Sequence, residues 1–423
     1  MVKKIIHTFG TKLLTAIINL LIVIVISQFI GAAGKGEQGI LITTIALILI
    51  FSNIVGGASL VYLTPRIHPK KLIGPAYIWT AFVSIIFYFI LANLNIVESK
   101  YAIHIALLSA INSFASINSS ILIGKEKITT NNFINLLQTL LIIVFLIVFF
   151  YFLNQRNVLS YIWSLYLAFS ISFITSFILI FRFLISKQEV IIGYFHVIKE
   201  LFKYGILNQL AHIAQLLSFR FSYYVLNYYS GTSEVGVYSN GVSLVESIWM
   251  VSGSIALVQY SKIANTDDIK YSQRLTTGLI KISLLSASII MIPMLILPSE
   301  FFSFIFGKEF GPINQVMWSL APGVLFFNFA LVLGHYFSGT GKYYVNTIAS
   351  VIGLVITIGL SFILIPKYSI IGAGITSSIS YIFTSIFVIF FFCKESEQSY
   401  LNLLPNFSDV KGYFLEIKKY IKT

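Results

Sequence analysis

Residues 204–263 read YGILNQLAHIAQLLSFRFSYYVLNYYSGTSEVGVYSNGVSLVESIWMVSGSIALVQYSKI. Two long apolar stretches meet there at Gly231-Thr-Ser-Glu, and each carries one charge deep within it, Arg220 in the first and Glu246 in the second. Almost every other charge lies outside the apolar segments. A charged side chain is expensive in hydrocarbon, so one placed there faces a partner or a watery cavity. With the turn between Tyr229 and Gly236, Arg220 lies about 8 residues and Glu246 about 10 residues from it. At about 1.5 Å per helical residue their depths are roughly 12 and 15 Å, which makes an ion pair geometrically possible.

At about 100° per residue, Asn208, Gln209, His212, Gln215, Arg220, Ser222, Tyr223 and Asn227 share one broad arc of the first helix, opposite Leu210, Ala214, Leu217, Phe221 and Val225. That side is read as facing water or a polar ligand. Ser239, Ser243, Glu246, Ser247 and Ser254 share one side of the second. The alternative is that the pair and the polar arcs only join two helices through interhelical hydrogen bonds.

The stretch is typical of the whole chain. Of 423 residues 57% are hydrophobic and 10% charged, and the mean hydropathy is +0.89. Twelve apolar runs, at about 12–30, 38–62, 75–93, 101–123, 133–153, 160–182, 204–228, 236–258, 277–297, 315–338, 345–365 and 370–393, approach the roughly twenty residues that cross a bilayer. The fold class is therefore an all-α polytopic membrane protein with about 12 transmembrane helices. The basic start Met1–Lys4 followed by Leu13–Ile30 resembles a secretion signal. That core is long for a signal and many spans follow it, so it is read as an uncleaved first helix.

A net charge of +13 raises nucleic acid as a partner, but the placement of the charges excludes that reading. With the N-terminus inside, 22 of the 28 Lys and Arg fall in cytoplasmic segments and only Lys35, Lys100, Arg156, Lys308 and Lys367 outside, the bias that orients membrane proteins. Both termini are then cytoplasmic. Pro65, Pro69 and Pro75 bracket the second inside loop and Pro298 and Pro312 the longest outside loop. Cys393 is the single cysteine, which excludes an internal disulfide.

A shift of 197 residues pairs Gly34 with Gly231, Gly39 with Gly236, Gly56 with Gly253 and Leu60 with Leu257. Two six-helix lobes follow, related by a pseudo-two-fold along the membrane normal, an arrangement that places substrate between halves. The divisions are an N-terminal lobe at 1–190, a cytoplasmic interfacial linker at 191–203 within the long connection Lys187–Lys203, a C-terminal lobe at 204–393, and a cytoplasmic tail at 394–423 in which 409–421 is expected to form a surface helix.

Three blocks, Ile30-Gly-Ala-Ala-Gly-Lys-Gly-Glu-Gln-Gly39, Gly231-Thr-Ser-Glu-Val-Gly-Val-Tyr238, and Ser338-Gly-Thr-Gly-Lys342 with Ile365-Pro-Lys-Tyr-Ser-Ile-Ile-Gly-Ala-Gly374, stand in an order that resembles the polysaccharide-export branch of the multidrug/oligosaccharidyl-lipid/polysaccharide flippase superfamily, which includes the O-antigen flippases. The resemblance implies a V-shaped pair of lobes in a bacterial inner membrane. It also implies movement of an undecaprenyl-pyrophosphate oligosaccharide from the cytoplasmic to the outer leaflet by alternating access, alongside other glycan-assembly membrane proteins. Family members tend to carry basic residues in the central cavity to meet the pyrophosphate, as Arg220 would. Some also use an acid on the second helix. This chain has none between Gln38 and Tyr62 and offers Asn53.

Arg220 is the leading anion contact, since guanidinium presents a fixed fork of donors to phosphate oxygens. Asn208, Gln209 and Gln215 line the same arc. Lys12 and Lys281, with Arg66 and Lys262, sit at inner helix ends, either to admit a headgroup or to snorkel and orient the helices. His212 is a candidate for carrying protons, against the plainer reading of a hydrogen-bonding group. Glu246 is the coupling candidate: ionised it holds Arg220, and protonated it releases Arg220 to pyrophosphate, with H+ or Na+ as the driving ion. No Walker A sequence follows Gly34, Gly124, Gly307 or Gly341 and no HExxH occurs, so no cofactor or metal is expected. Two rivals remain. A cation-coupled drug exporter of a sister branch wants carboxylates in its cavity, and this chain offers one acid against one arginine. A polysaccharide polymerase or ligase wants an extended outside loop, whereas Pro298–Asn314 is short.

Overall fold

The computed structural model describes residues 2–94, 96–185, 193–266 and 268–406, apart from the side chains of 2–9, 207, 208, 261 and 264. Hydrocarbon offers backbone groups no partner, so apolar sequence of this kind closes its hydrogen bonds within helices. Among the described residues there are helices and no strand. In chain order they are α1 (Val2–Ser52), α2 (Gly57–Leu63), α3 (Pro69–Leu94), α4 (Ser99–Gly124), α5 (Ile128–Ile147), α6 (Val158–Ile185), α7 (Tyr194–Ser230), α8 (Thr232–Glu246), α9 (Trp249–Ala264), α10 (Ile269–Ile296), α11 (Ser299–Phe306), α12 (Ile313–Gly339) and α13 (Tyr343–Ser396). Eight helices among the described residues are long and apolar enough to cross a membrane, or nine if the bent pair α8 and α9 counts as one span. This is a multi-pass helical membrane protein.

Two of the eight, Gly10–Leu63 and Tyr343–Ser396, each contain 54 residues. At about 1.5 Å per residue each runs to roughly 80 Å, more than twice the ~30 Å hydrocarbon core. Each is interrupted where a turn was expected. Gly31 (φ 69°, ψ −174°) breaks α1, and Ser369 (φ 48°, ψ −124°) breaks α13. Single residues make these breaks, so the segments expected as loops at 31–37 and 366–369 are largely helical. Gly231 adopts φ 87° and ψ 172°, nearly the conformation of Gly31, in a region that only glycine enters without strain. The conformational partner of Gly231 is thus Gly31, three residues before the Gly34 paired by sequence. Gly34 is helical, and a Cβ on it would sit 2.9 Å from Ile30 Cδ1.

The chain divides into two compact units, residues 1–213 and 214–423, and α7 contributes residues to both. In the first unit α4 packs against α1, α2, α3 and α6, around a core that includes Leu60, Leu72, Ile117, Ile121 and Ile180. Val197 and Leu201, in the opening turns of α7, are fully buried in that core. In the second unit α12 packs against α8, α9, α10 and α13. Small residues bring α12 and α13 to backbone contact: a Cβ on Gly323 would lie 2.3 Å from Ser378 Cα and one on Gly374 1.8 Å from Ser319 Oγ. The Gly323 amide donates to Ser378 Oγ at 2.7 Å. Packing of this kind holds helices together in lipid, where apolar burial alone gives little.

Two proline expectations change. Pro75 lies inside α3 rather than at a loop edge. It lies past the first turn, so its missing N–H removes the helical hydrogen bond to the Lys71 carbonyl. The segment after Pro298, expected as an outside loop, is not open loop, since it holds α11 with Phe302 and Phe306 buried. The tail helix expected at 409–421 lies outside the described residues.

Candidate functional site: a caged arginine–glutamate pair

The depth estimate from the sequence places Arg220 opposite Glu246, and the structure brings them together. Arg220 Nη1 donates to Glu246 Oε1 at 3.0 Å and Nη2 to Oε2 at 2.6 Å, a two-pronged ion pair. Tyr381 of α13 donates its hydroxyl to Glu246 Oε1 at 2.9 Å. The side chains retain 24% exposure for Arg220 and 11% for Glu246. The pair is half-enclosed, with the arginine the more accessible member.

Glu246 is accessible because its helix ends there. The sequence reading ran one helix from 236 to 258; instead α8 stops at Glu246 and α9 starts at Trp249, bent by 43°. The physical reason lies in the serines. Ser243 Oγ donates to the Ser239 carbonyl and Ser247 Oγ to the Leu244 carbonyl, competing with the helical ladder. Across the break Ile248, Met250 and Val251 bond three residues back rather than four, the tighter pitch that marks a bend. The first unit has a like break at 53–56, between Ser52 and α2. There Asn53 occupies the bend, and its Oδ1 lies 3.5 Å from the donating Ser116 hydroxyl.

Beside the pair, four rings from four helices contact one another: Phe219 (α7), Trp249 (α9), Phe327 (α12) and Tyr381 (α13). Their six centroid distances run from 4.7 Å for Trp249–Phe327 to 5.5 Å for Phe219–Trp249, with the other four at 5.1 to 5.4 Å. Trp249 is pinned by donating its indole N–H to the Val324 carbonyl at 3.0 Å. On another side the Arg220 guanidinium carbon stands 5.5 Å from the centroid of Tyr223. Rings exclude water and lower the local dielectric, which strengthens each charge interaction they enclose. None of the four clustered rings is marked as special by the sequence, because 16% of the chain is aromatic and only the fold selects which rings meet.

The polar arc of α7 does not present one wet face. Ser222 and Tyr223 are buried, Ser222 pairing with Ser361 at 3.4 Å, and Ser218, one turn earlier on the same side, pairs with Ser380 at 3.1 Å. These hydroxyl contacts dock α7 on α13. Gln209 is 5% exposed, with its Nε2 beside Gly57 in the first unit, whereas His212 is exposed and Gln215 half-buried. The Asn208 side chain lies outside the described residues. Lys12 is exposed on α1. Lys281 stands on α10 in a cavity with Arg274 and Gln398, which does not include Arg220 or Glu246. On the second polar arc Ser243, Ser247 and Ser254 are exposed, whereas Ser239 is buried.

One charge is misplaced by the sequence. Lys35, expected in an outside turn, is only 4% exposed within α1 and donates to Gln38 Oε1 at 2.8 Å. Gln38 Nε2 in turn donates to the Tyr161 hydroxyl at 3.1 Å. The three glycines around Lys35 read as a turn, but Gly31 alone makes the turn and helix resumes beneath the lysine. Among the described residues no cluster of His, Cys, Asp or Glu forms a metal site.

Comparison with known proteins gives the family of the chain. Residues 1–260 match the family described as polysaccharide biosynthesis protein. The chain belongs to that family. Within it, the capsular polysaccharide biosynthesis protein CapF of Staphylococcus aureus is 32% identical over 174 residues, 40% of this chain and 44% of that protein. An uncharacterized membrane protein of Methanocaldococcus jannaschii is 25% identical over 305 residues, 69% of this chain and 59% of its own length. The matches thus span about half the length of these curated relatives. Among solved structures, the lipid II flippase MurJ in an inward closed conformation aligns over 97% of this chain and 89% of its own, with a TM-score of 0.75 at 14% identity. An inward-facing multidrug-resistance transporter of the same superfamily covers 90% of this chain and 94% of its own, with a TM-score of 0.70 at 15% identity. The fold of this polysaccharide biosynthesis family member is therefore that of the flippases and exporters of that superfamily.

Proposed function

We propose that this protein is a flippase that carries an undecaprenyl-pyrophosphate oligosaccharide from the cytoplasmic to the outer leaflet of a bacterial inner membrane by alternating access, a transporter and not an enzyme. In this reading the chain makes twelve passes with both termini cytoplasmic: α1 and α13 supply two each, and α3 to α7, the α8–α9 pair, α10 and α12 one each. The observation that carries the mechanism is the two-pronged Arg220–Glu246 pair held at a helix break. Paired, Arg220 is neutralised and presents no net charge to an anion. Protonation of Glu246 removes that hold, and the guanidinium fork is then free for pyrophosphate oxygens in surroundings where Tyr381 and the ring cluster keep water scarce. Loss of the proton restores the pair and releases the anion, so proton and anion binding go together at Glu246 and net outward movement draws on the supply of substrate in the cytoplasmic leaflet. Family membership and the MurJ-like fold support the lipid-linked substrate.

The test is flipping of an undecaprenyl-pyrophosphate oligosaccharide in proteoliposomes at controlled pH. Wild type flips, folded Arg220→Ala does not, and Glu246→Gln loses the pH dependence. Absence of wild-type flipping over a panel of glycans, with proton-coupled efflux of an organic cation in its place, overturns the reading in favour of a drug exporter.

A further inference from the structure

A cavity of about 650 Å³ opens in the first unit, between α1, the start of α4 and the residues that lead into α6. Its polar groups differ in kind. Glu37 of α1 accepts the Tyr101 hydroxyl at 2.7 Å through Oε2, which leaves Oε1 as an acceptor on the cavity wall. The Arg156 guanidinium lies over the Phe29 ring, its central carbon 5.1 Å from the ring centroid. Glu37 and Arg156 line the same cavity, yet among the described residues no carboxylate closes an ion pair with Arg156, so its N–H fork serves as a donor. His104 meets the Tyr166 hydroxyl through Nδ1 at 3.1 Å, and its Nε2 donates or accepts according to tautomer. Lys100 is already taken by Glu98. Ile30 and Leu159 line the cavity as well, and Leu159 is 44% exposed, an apolar strip beside the polar wall.

We propose that this cavity binds a sugar unit of the exported glycan, its hydroxyls donating to Glu37 and accepting from Arg156. An acid and a guanidinium that face one cavity without pairing suit a ligand that donates and accepts at once, as adjacent sugar hydroxyls do. The C–H face of the ring then rests on Ile30 and Leu159. A purely anionic ligand is repelled by Glu37 and a purely cationic one by Arg156. The volume lies within the roughly 300–1,000 Å³ of ligand sites. The Lys and Arg bias that orients the chain puts the start of α4 and of α6 at the outer leaflet, the side on which the glycan emerges. The proposal rests on the flippase reading for the source of the sugar, but none of the lining residues belongs to the unit that holds Arg220.

The experiment is saturation-transfer-difference NMR of the purified full chain in phosphatidylglycerol nanodiscs, free of glycosidic detergent, with methyl glucoside, N-acetylglucosamine and glucuronic acid as probes. Wild type gives a saturable signal with at least one of them. Glu37→Gln, which turns the open acceptor into a donor, and Arg156→Gln each raise the dissociation constant at least about tenfold. Leu159→Trp fills the cavity without changing charge, has the same effect, and serves should either charge variant fail to fold. No signal with any probe, or unchanged affinity in the folded variants, overturns the proposal. So does loss of the wild-type signal when phosphatidylethanolamine replaces phosphatidylglycerol, which makes a zwitterionic lipid headgroup the occupant. Flipping by wild type without sugar binding overturns this proposal alone, whereas sugar binding without flipping upholds the sugar site and overturns the flippase reading.

Discussion

Arg220 and Glu246 neutralise each other so closely that removing one leaves the other as an uncompensated buried charge. Glu246→Ala is expected to lower stability by about 3–5 kcal/mol, seen as a drop in the thermal unfolding midpoint in detergent. The double change Arg220→Met with Glu246→Leu removes both charges and is expected to recover most of that loss. If the pair were only a clasp, the repaired double variant would transport; the flippase mechanism requires it to be stable and inactive. Tyr381→Phe removes one hydrogen bond to the carboxylate and leaves the ring cluster intact. It is expected to cost about 1–3 kcal/mol and to shift the pH dependence of flipping without abolishing it, which a pH series in proteoliposomes measures.

At the scale of elements, glycine positions divide into those that turn the chain and those that let helices touch. Gly231→Val forces a β-branched residue to φ 87°, a strain of about 1–3 kcal/mol. Gly323→Val places a side chain into the Ser378 backbone, where neither helix can yield, and overpacking of this kind costs about 1–3 kcal/mol or more. Gly359, exposed on α13 with nothing within 4 Å, is the control. The monodisperse fraction after size-exclusion chromatography is expected to fall for Gly323→Val and to stay near wild type for Gly359→Val. Helix continuity was the least legible feature. Gly31 and Ser369 each break a long helix with one residue, so there is no loop between the two apolar runs on either side. At 247–248 serine hydrogen bonds bend a segment whose apolar run has no gap.

At the scale of the molecule, orientation follows from where Lys and Arg fall. In a Cys393→Ala background, Asn154→Cys in the α5–α6 connection is expected to react with a membrane-impermeant maleimide from outside the cell. Lys125→Cys in the α4–α5 connection is expected to react only after permeabilisation. The reverse pattern would invert the topology and with it the direction of transport assigned to the Arg220 site. The two halves of the chain resemble each other locally, since each has a glycine of nearly the same conformation, Gly31 and Gly231, followed by a helix break, at Asn53 in one and after Glu246 in the other. Only the second half puts a carboxylate at the break.

What the sequence by itself determined was the helical membrane architecture and the similar depth at which Arg220 and Glu246 stand, which makes their pairing possible. Apolar runs permit no other backbone solution in lipid, and equal depth below a shared turn brings two charges to one level. What only the tertiary structure decided was which groups surround that pair. Tyr381 lies 135 residues from Glu246 in the chain, and Phe219, Trp249 and Phe327 come from three different helices. Their rings look like any others in a sequence rich in them. Lys35 shows the same limit from the other side, a loop cation by composition and a buried hydrogen-bonded one by fold, because a single φ angle at Gly31 decides where the helix resumes.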